Sequence, residues 1–315
     1  MDRRTQEIRV KSYANLALLG ACVFVAAGSV ATKPALDAAP ALPVLFMQIL
    51  AGAIPLTLIA AVTSRLPNRR QHLWLAIPGV LHPGLSFILL TLGLALLSAS
   101  LYGLLVASEA ALVALLAWPL LKERPSVRIA LAIVVGTIGV ALLTNGGLAN
   151  TDGVSVAGVA LVLGGVLCMA LDTITVRALL AGTRSDALTL TVAADWASLL
   201  PIGAAMTVSG QGADWSWIKD TRVLSLVVIS GAVIHCISAL LFNYALAHIE
   251  AARAAAMFPL ISVLIAAGGI AFLDETLSGL QFLGGAVIIA SAVIVALDRE
   301  RGSPAGKPAN PQAAE

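Results

Sequence analysis

Glu109 is an acid inside the largely apolar stretch Ser108 to Arg124, and is the first residue here whose place suggests chemistry. Glu123 follows fourteen residues later at the water boundary; at about 1.5 Å per residue the two carboxylates stand about 21 Å apart on one helix. An ionisable group deep in hydrocarbon costs about 2.5–3.5 kcal/mol on insertion scales and faces a bundle interior or a water-filled cavity. Glu109 therefore reads as a protonatable group or a solute anchor, with Tyr102 two turns earlier on the same face. The competing reading is a structural hydrogen bond to a neighbouring helix.

Other polar groups at membrane depth form a second tier. Asp172 shares a stripe with Cys168 and Thr175, a cavity lining or an interhelical hydrogen bond. Asp195 and Trp196 would hold an amine and its apolar body, although adjacent helical residues point about 100° apart. His82 and Ser86 lie one turn apart, with Pro83 and Gly84 marking a kink or close packing. His235, Ser238 and Phe242 make a stripe with Asn243 at its edge. A lone helical histidine is more often a satisfied core residue than a ligand. No two histidines have the spacing of a metal site. Phosphate-binding loops, nucleophile elbows and zinc patterns are missing from the sequence, so neither a cofactor nor an enzymatic activity is expected.

The elements that must carry these groups follow from composition. Of 315 residues, 59% are hydrophobic and 11% charged, and the mean hydropathy is +0.96. Soluble domains average about 25% charged residues, so this is a polytopic membrane protein with the lipid bilayer as its surroundings. A net charge of +2 singles out no charged partner, and no nucleic-acid partner is expected. Cys22, Cys168 and Cys236 all fall in apolar segments and read as small hydrophobes.

At about twenty apolar residues per span, ten helices fit: Tyr13–Ala31, Leu42–Thr63, Leu73–Leu96, Leu101–Leu121 and Arg128–Leu143, then Val156–Val176, Ala187–Val208, Leu224–Ala247, Ala252–Leu273 and Leu280–Leu297. Breakers such as Asn145-Gly146-Gly147 separate them, and Trp215 and Trp217 in the longest connection fit an interfacial belt. Pro55, Pro201 and Pro259 are expected to bend their helices. With both termini cytoplasmic, only Lys33, Lys219 and Arg222 of the 19 basic residues fall on the far side. That asymmetry obeys the positive-inside rule. Lys33 is expected to snorkel from its helix end.

The halves repeat. A shift of 152 carries Lys122-Glu123 onto Asp274-Glu275, and Ala132 and Gly139 onto Gly284 and Ser291, small residues seven apart on one helix face. A shift of 144 carries Gly20 and Lys33 onto Gly164 and Arg177, and 146 carries Pro55 onto Pro201. Five spans per half is odd, so the second half enters from the opposite side, as in transporters whose site lies at the repeat interface. The expected fold is therefore all-α and integral to the membrane, ten transmembrane helices as two inverted five-helix repeats. Its parts are an N-terminal segment 1–12, repeats 13–143 and 156–298, a linker 144–155, and a disordered tail 299–315.

Glu109 to Glu123 around Leu115-Leu116-Ala117-Trp118, and its echo Phe272-Leu273-Asp274-Glu275-Thr276-Leu277 before Gln281-Phe282-Leu283-Gly284, resemble the EamA-type half of the drug/metabolite transporter superfamily. The resemblance covers about residues 13 to 298. It departs at Ala110, where proline is common, at Pro259, a turn early, and in the missing tryptophan of the first helix. It implies an inner-membrane (plasma-membrane) carrier that exports amino acids or other small metabolites, often proton-coupled. Its cavity would be lined by spans three, four, eight and nine, with contributions from one and six. The acids at membrane depth favour an amine-bearing solute. Other classes that fit the composition are an integral-membrane enzyme, a lipid scramblase and a passive channel. Oligomeric state is not legible.

Overall fold

A computed structural model of the chain describes residues 3–67, 79–109, 111–113, 115–116, 127–148, 154–180, 187–246 and 258–302. Glu123, Lys122, Ala110, Trp118 and Arg253 lie outside them. The described regular structure is helical throughout: α1 Arg3–Ala38, α2 Ala41–Val62, α3 Ser86–Leu96, α4 Ala99–Val106, α5 Val127–Leu148 and α6 Val156–Leu180. α7 Ala187–Ser209, α8 Thr221–Gly231, α9 Ala239–Leu246, α10 Phe258–Phe272 and α11 Gly279–Gly302 follow. A wide π turn at Val80–Leu85 precedes α3, another at Ala232–Ser238 joins α8 to α9, and short 3-10 turns lie between α7 and α8. Among the described residues, four helical stretches are long and apolar enough to cross a bilayer, Tyr13–Ala38, Ala41–Val62, Leu188–Ser209 and Thr221–Phe242.

Several boundaries differ from those expected. α1 runs unbroken past Ala31 to Ala38 and contains Pro34. Lys33 does not snorkel freely: its Nζ donates to Asp37 Oδ1 at 2.9 Å, an i,i+4 pair that supports the last turns. Asn145-Gly146-Gly147 lies within α5, because glycine keeps its N–H and weakens a helix by about 1 kcal/mol without ending it. α11 continues to Gly302, so 299–302 are helical and not disordered; the Asp298-Arg299-Glu300-Arg301 run extends a helix that is already nucleated. Trp217 is buried, and Trp215 stacks on it at 6.1 Å and meets Phe46 edge-on, so the two indoles close a loop over the core and do not form a belt. Pro259 stands at the second described residue of α10, so the stretch it was expected to bend lies outside the described residues.

The helix starts on one face of the bundle are capped by their own sequence. Ser98 Oγ accepts from Leu101 N–H before α4, Ser155 Oγ from Gly158 N–H at α6, and Asp220 from Arg222 and Val223 N–H at α8. Ser278 and Gln281 form a reciprocal capping box at α11. The ends of α1, α3, α7 and α10 meet these starts on the same side. Gln211 there accepts from Leu42 N–H at the start of α2.

The packing repeats when the halves are exchanged. α2 against α7, α4 against α10 and α5 against α11 are contacts between equivalent helices; α1 against α8 and α9 matches α6 against α3. Equivalent helices cross antiparallel. Ser291 Oγ donates to Ala132 O at 2.6 Å, while a Cβ on Gly139 would meet Gly284 O at 2.9 Å. These two contacts are mates under the shift of 152. They also show the small-residue face that the seven-residue spacing suggested, buried between α5 and α11. Likewise Gly79 lies on the backbone of Ala194 and Gly231 on that of Gln48, mates under shifts of 152 and 146. Antiparallel equivalents are what a repeat turned over against its twin produces.

Candidate functional site

At the two π turns the chain departs from α geometry, and each carries a histidine. His82 is extended (φ −143°, ψ 123°), which breaks the helix before Pro83, as the residue before a proline favours. His235 lies in the second turn, Ala232–Ser238, where no proline marks it. Wide turns of this kind gather at functional positions in helices. Both rings pack on Phe87, at centroid distances of 5.0 Å for His82 and 5.1 Å for His235, the latter edge-on. The two histidines thus face one aromatic ring at the interface of the halves. His82 Nδ1 and Ser86 Oγ are 2.6 Å apart, as their one-turn spacing suggested. His235 is pressed on Gly52 of α2.

Two buried acids stand at this level. Asp195 is 4% exposed, and its Oδ2 has no hydrogen-bond partner among the described residues. Its neighbours on α7 fix its height: Ala194 touches Gly79, and Pro201 touches Gly84. It lies within electrostatic reach of Cys236, next to His235. Asp172 is buried, and its Oδ1 has no partner among the described residues. α6 runs antiparallel to α3, with Gly158 on Leu97 and Gly165 on Leu90, so two further turns bring Asp172 to the level of His82. A buried carboxylate oxygen without a donor is costly. Such groups inside a membrane bundle mark solute or proton pathways.

The remaining expected residues are placed differently. Trp196 is 43% exposed and donates its Nε1–H to Thr57 Oγ1 at 2.9 Å, so it points away from Asp195 and does not share a pocket with it. The Asp172 stripe grades outward: Cys168 is half-buried, and Thr175 is exposed and bonds its own helix at Leu171 O. Tyr102 is buried in the main core between the halves. Glu109 is half-buried, ten residues along from Ala99 and so about 15 Å from that helix start. Between Tyr102 and Glu109 the helix tightens at Ala107–Ser108, where Ser108 N–H bonds Leu105 O, and helical bonding continues with Leu112 N–H to Ser108 O. Asn243 lies on α9 with its side chain outside the described ones.

Three residues escaped the reading of the sequence. Phe87 looked like one more apolar residue. Gln48 is 3% exposed and donates from Nε2 to Thr32 Oγ1 and Ser230 Oγ, both at 2.7 Å, tying α1, α2 and α8 together. Its polarity inside an apolar span was the available signal. Glu275, a water-boundary acid by sequence, reaches into the other half. A pocket of about 470 Å³ opens instead near Leu36, Leu92, Leu161 and Gln211. Its lining is apolar apart from Gln211, so it offers little to orient a polar solute.

The EamA-like transporter family matches residues 12–145 and again 156–297, one copy on each half. The chain belongs to that family. Its EamA repeats therefore place it among multi-pass membrane transporters of the drug/metabolite superfamily, which take small-molecule substrates and whose members are not enzymes. No curated protein matches the EamA chain in sequence. Among solved structures, one titled only as the crystal structure of a protein is 15% identical over 93% of this chain and 99% of its own, with a TM-score of 0.62. That likeness shows the fold.

Proposed function

We propose that this EamA protein is a secondary carrier of ten spans in two inverted five-helix repeats, 13–148 and 156–298. It sits in the inner (plasma) membrane with both termini cytoplasmic. It exports amino acids or other small amine-bearing solutes by alternating access. The solute binds between the repeats, where His82 and His235 flank Phe87, with Asp172 and Asp195 on either side to meet an ammonium group or to exchange a proton. Glu109 is the third acid of the pathway.

One observation carries this reading: two buried carboxylate oxygens, Asp172 Oδ1 and Asp195 Oδ2, find no donor among the described residues at the level of the paired histidines. A buried acid in need of a donor fits an amine or a proton, and disfavours an anionic solute, which it would repel. The aromatic ring beside them adds a face for a cation or an apolar side chain.

Counterflow in liposomes tests it. Purified protein is offered labelled amino acids and polyamines with a pH gradient applied or removed. Wild type shows saturable exchange; Asp195→Asn and Asp172→Asn reduce it at least tenfold or abolish its response to the gradient. Glu109→Gln run beside them separates a coupling acid from a structural one. Unsaturable flux, or exchange untouched by all three changes, refutes the site.

A further inference from the structure

Between α3 and α4 the chain breaks, and the first N–H groups of α4 have no partner within their helix. Ser98 Oγ takes the N–H of Leu101. The two before it are taken by the other half of the molecule: Ala99 N–H donates to Glu275 Oε1 at 2.6 Å and Ser100 N–H to Glu275 Oε2 at 2.7 Å. Charge-assisted bonds of this length are roughly twice as strong as neutral ones, and the positive end of the helix dipole adds to them. Ser100 Oγ donates to Ala266 O at 3.0 Å one turn further in.

The chain around Glu275 is shaped for this reach. Leu273 and Glu275 N–H both return to Gly269 O, and Asp274 adopts φ 53°, so a tight turn after α10 aims the carboxylate back at α4. Gly269 leaves the space: a Cβ there would collide with Glu275 Oε2 and meet Ser100 Oγ at 2.5 Å. Glu275 is half-buried and Thr276 beside it is exposed, so the link stands at the Gln211 face with water at hand.

We infer that Glu275 is a gate latch, which closes the Gln211 face by fastening the end of α10 to the start of α4 and releases when that face opens to solute. The inference rests on the alternating-access reading above. A link made by one side chain on two N–H groups, near water, can be broken and remade without unpacking the core below it. That core, where Gly103 is pressed on Ile265, supplies the pivot.

The test measures distance. Nitroxides are placed at Leu96→Cys and Thr276→Cys, two exposed positions that flank the latch, in a background with Cys22, Cys168 and Cys236 changed to alanine. Double electron–electron resonance in nanodiscs then compares wild type with Glu275→Gln, which keeps the shape and loses the charge, and Gly269→Ala, which displaces the carboxylate and keeps the charge. Both variants raise the long-distance population about tenfold, as expected when a charge-assisted bond is lost. Unchanged distances in both variants overturn the latch, and so does a variant that lowers the melting temperature or fails to insert with no opening, because the contact is then only a cap. The readout needs no solute. Closed distances beside intact counterflow refute the latch alone; opening without counterflow of any solute refutes the carrier alone.

Discussion

The contact of Gly79 with Ala194 and of Gly231 with Gln48 allows a quantitative test of how the repeats fit. Both glycines have ordinary right-handed helical backbones, so alanine suits them locally and regains about 1 kcal/mol of helix propensity. The added Cβ is the difficulty. At Gly79 it would meet Ala194 Cα and O at 2.5 Å and C at 2.8 Å; at Gly231 it would meet the same three atoms of Gln48 at 2.5, 2.5 and 2.9 Å. Backbone cannot rotate aside as a side chain does, so the helices must part by about 1 Å. Overpacking of this kind costs about 1–3 kcal/mol, and backbone contacts fall at the upper end. Net of propensity, each change destabilises by about 2 kcal/mol. At about 2–4 °C per kcal/mol, melting falls by about 4–8 °C. Gly203→Ala is the control: nothing lies within 4 Å of its Cβ, so melting rises by about 2–4 °C. The two contacts lie on different helix pairs, so Gly79→Ala and Gly231→Ala together are additive within about 0.5 kcal/mol. The assay is thermal unfolding in detergent followed by tryptophan fluorescence. If Gly79→Ala and Gly231→Ala melt at or above wild type, or Gly203→Ala falls as far as they do, the close approach of the repeats is not as described.

Two further outcomes are expected. Ser291→Ala removes the bond to Ala132 O and lowers stability by about 0.6 kcal/mol, the average for such bonds between membrane helices, whereas Ser291→Leu separates α5 from α11 and costs several times more in the same melting assay. In the exposed loop, the Ser216 hydroxyl and N–H hold the Asp214 carboxyl below its usual range. A group depressed in the fold stabilises it above its unfolded pKa, and that contribution is lost as pH falls through the folded value. Ser216→Ala therefore moves the acid limb of the Trp215 fluorescence titration to higher pH, and no movement would count against this hydrogen-bonded turn.

Legibility varied with the physical signal. The α5–α11 face could be read from Ala132, Gly139, Gly284 and Ser291 because small residues at helical spacing have few uses in an apolar span. The break at His82 was signalled by Pro83. The matching turn at His235 was silent, since a π turn without proline or glycine leaves no compositional mark. The pairing of the histidines was hidden for a related reason: they are 153 residues apart, one more than the 152 that relates Gly79 to Gly231, so no single shift aligns both. Each was therefore weighed as a lone core histidine. Asp195 and Trp196 parted as their 100° offset requires.

Gln48 sets the limit of the symmetry. Its place in the second half is taken by Ala194, which has no side chain to make the two bonds that Gln48 makes to Thr32 and Ser230. On the alternating-access proposal, a molecule with two identical inverted halves would have two arrangements related by a two-fold rotation and equal in free energy, and neither would be preferred at rest. Two interhelical hydrogen bonds of about 0.6 kcal/mol each, made by Gln48 and without counterparts at Ala194, would tilt that balance by about 1 kcal/mol where the opposite arrangement breaks them, a little under tenfold in population. On the alternating-access proposal, a single buried amide would then set the resting orientation while leaving the symmetric scaffold in place.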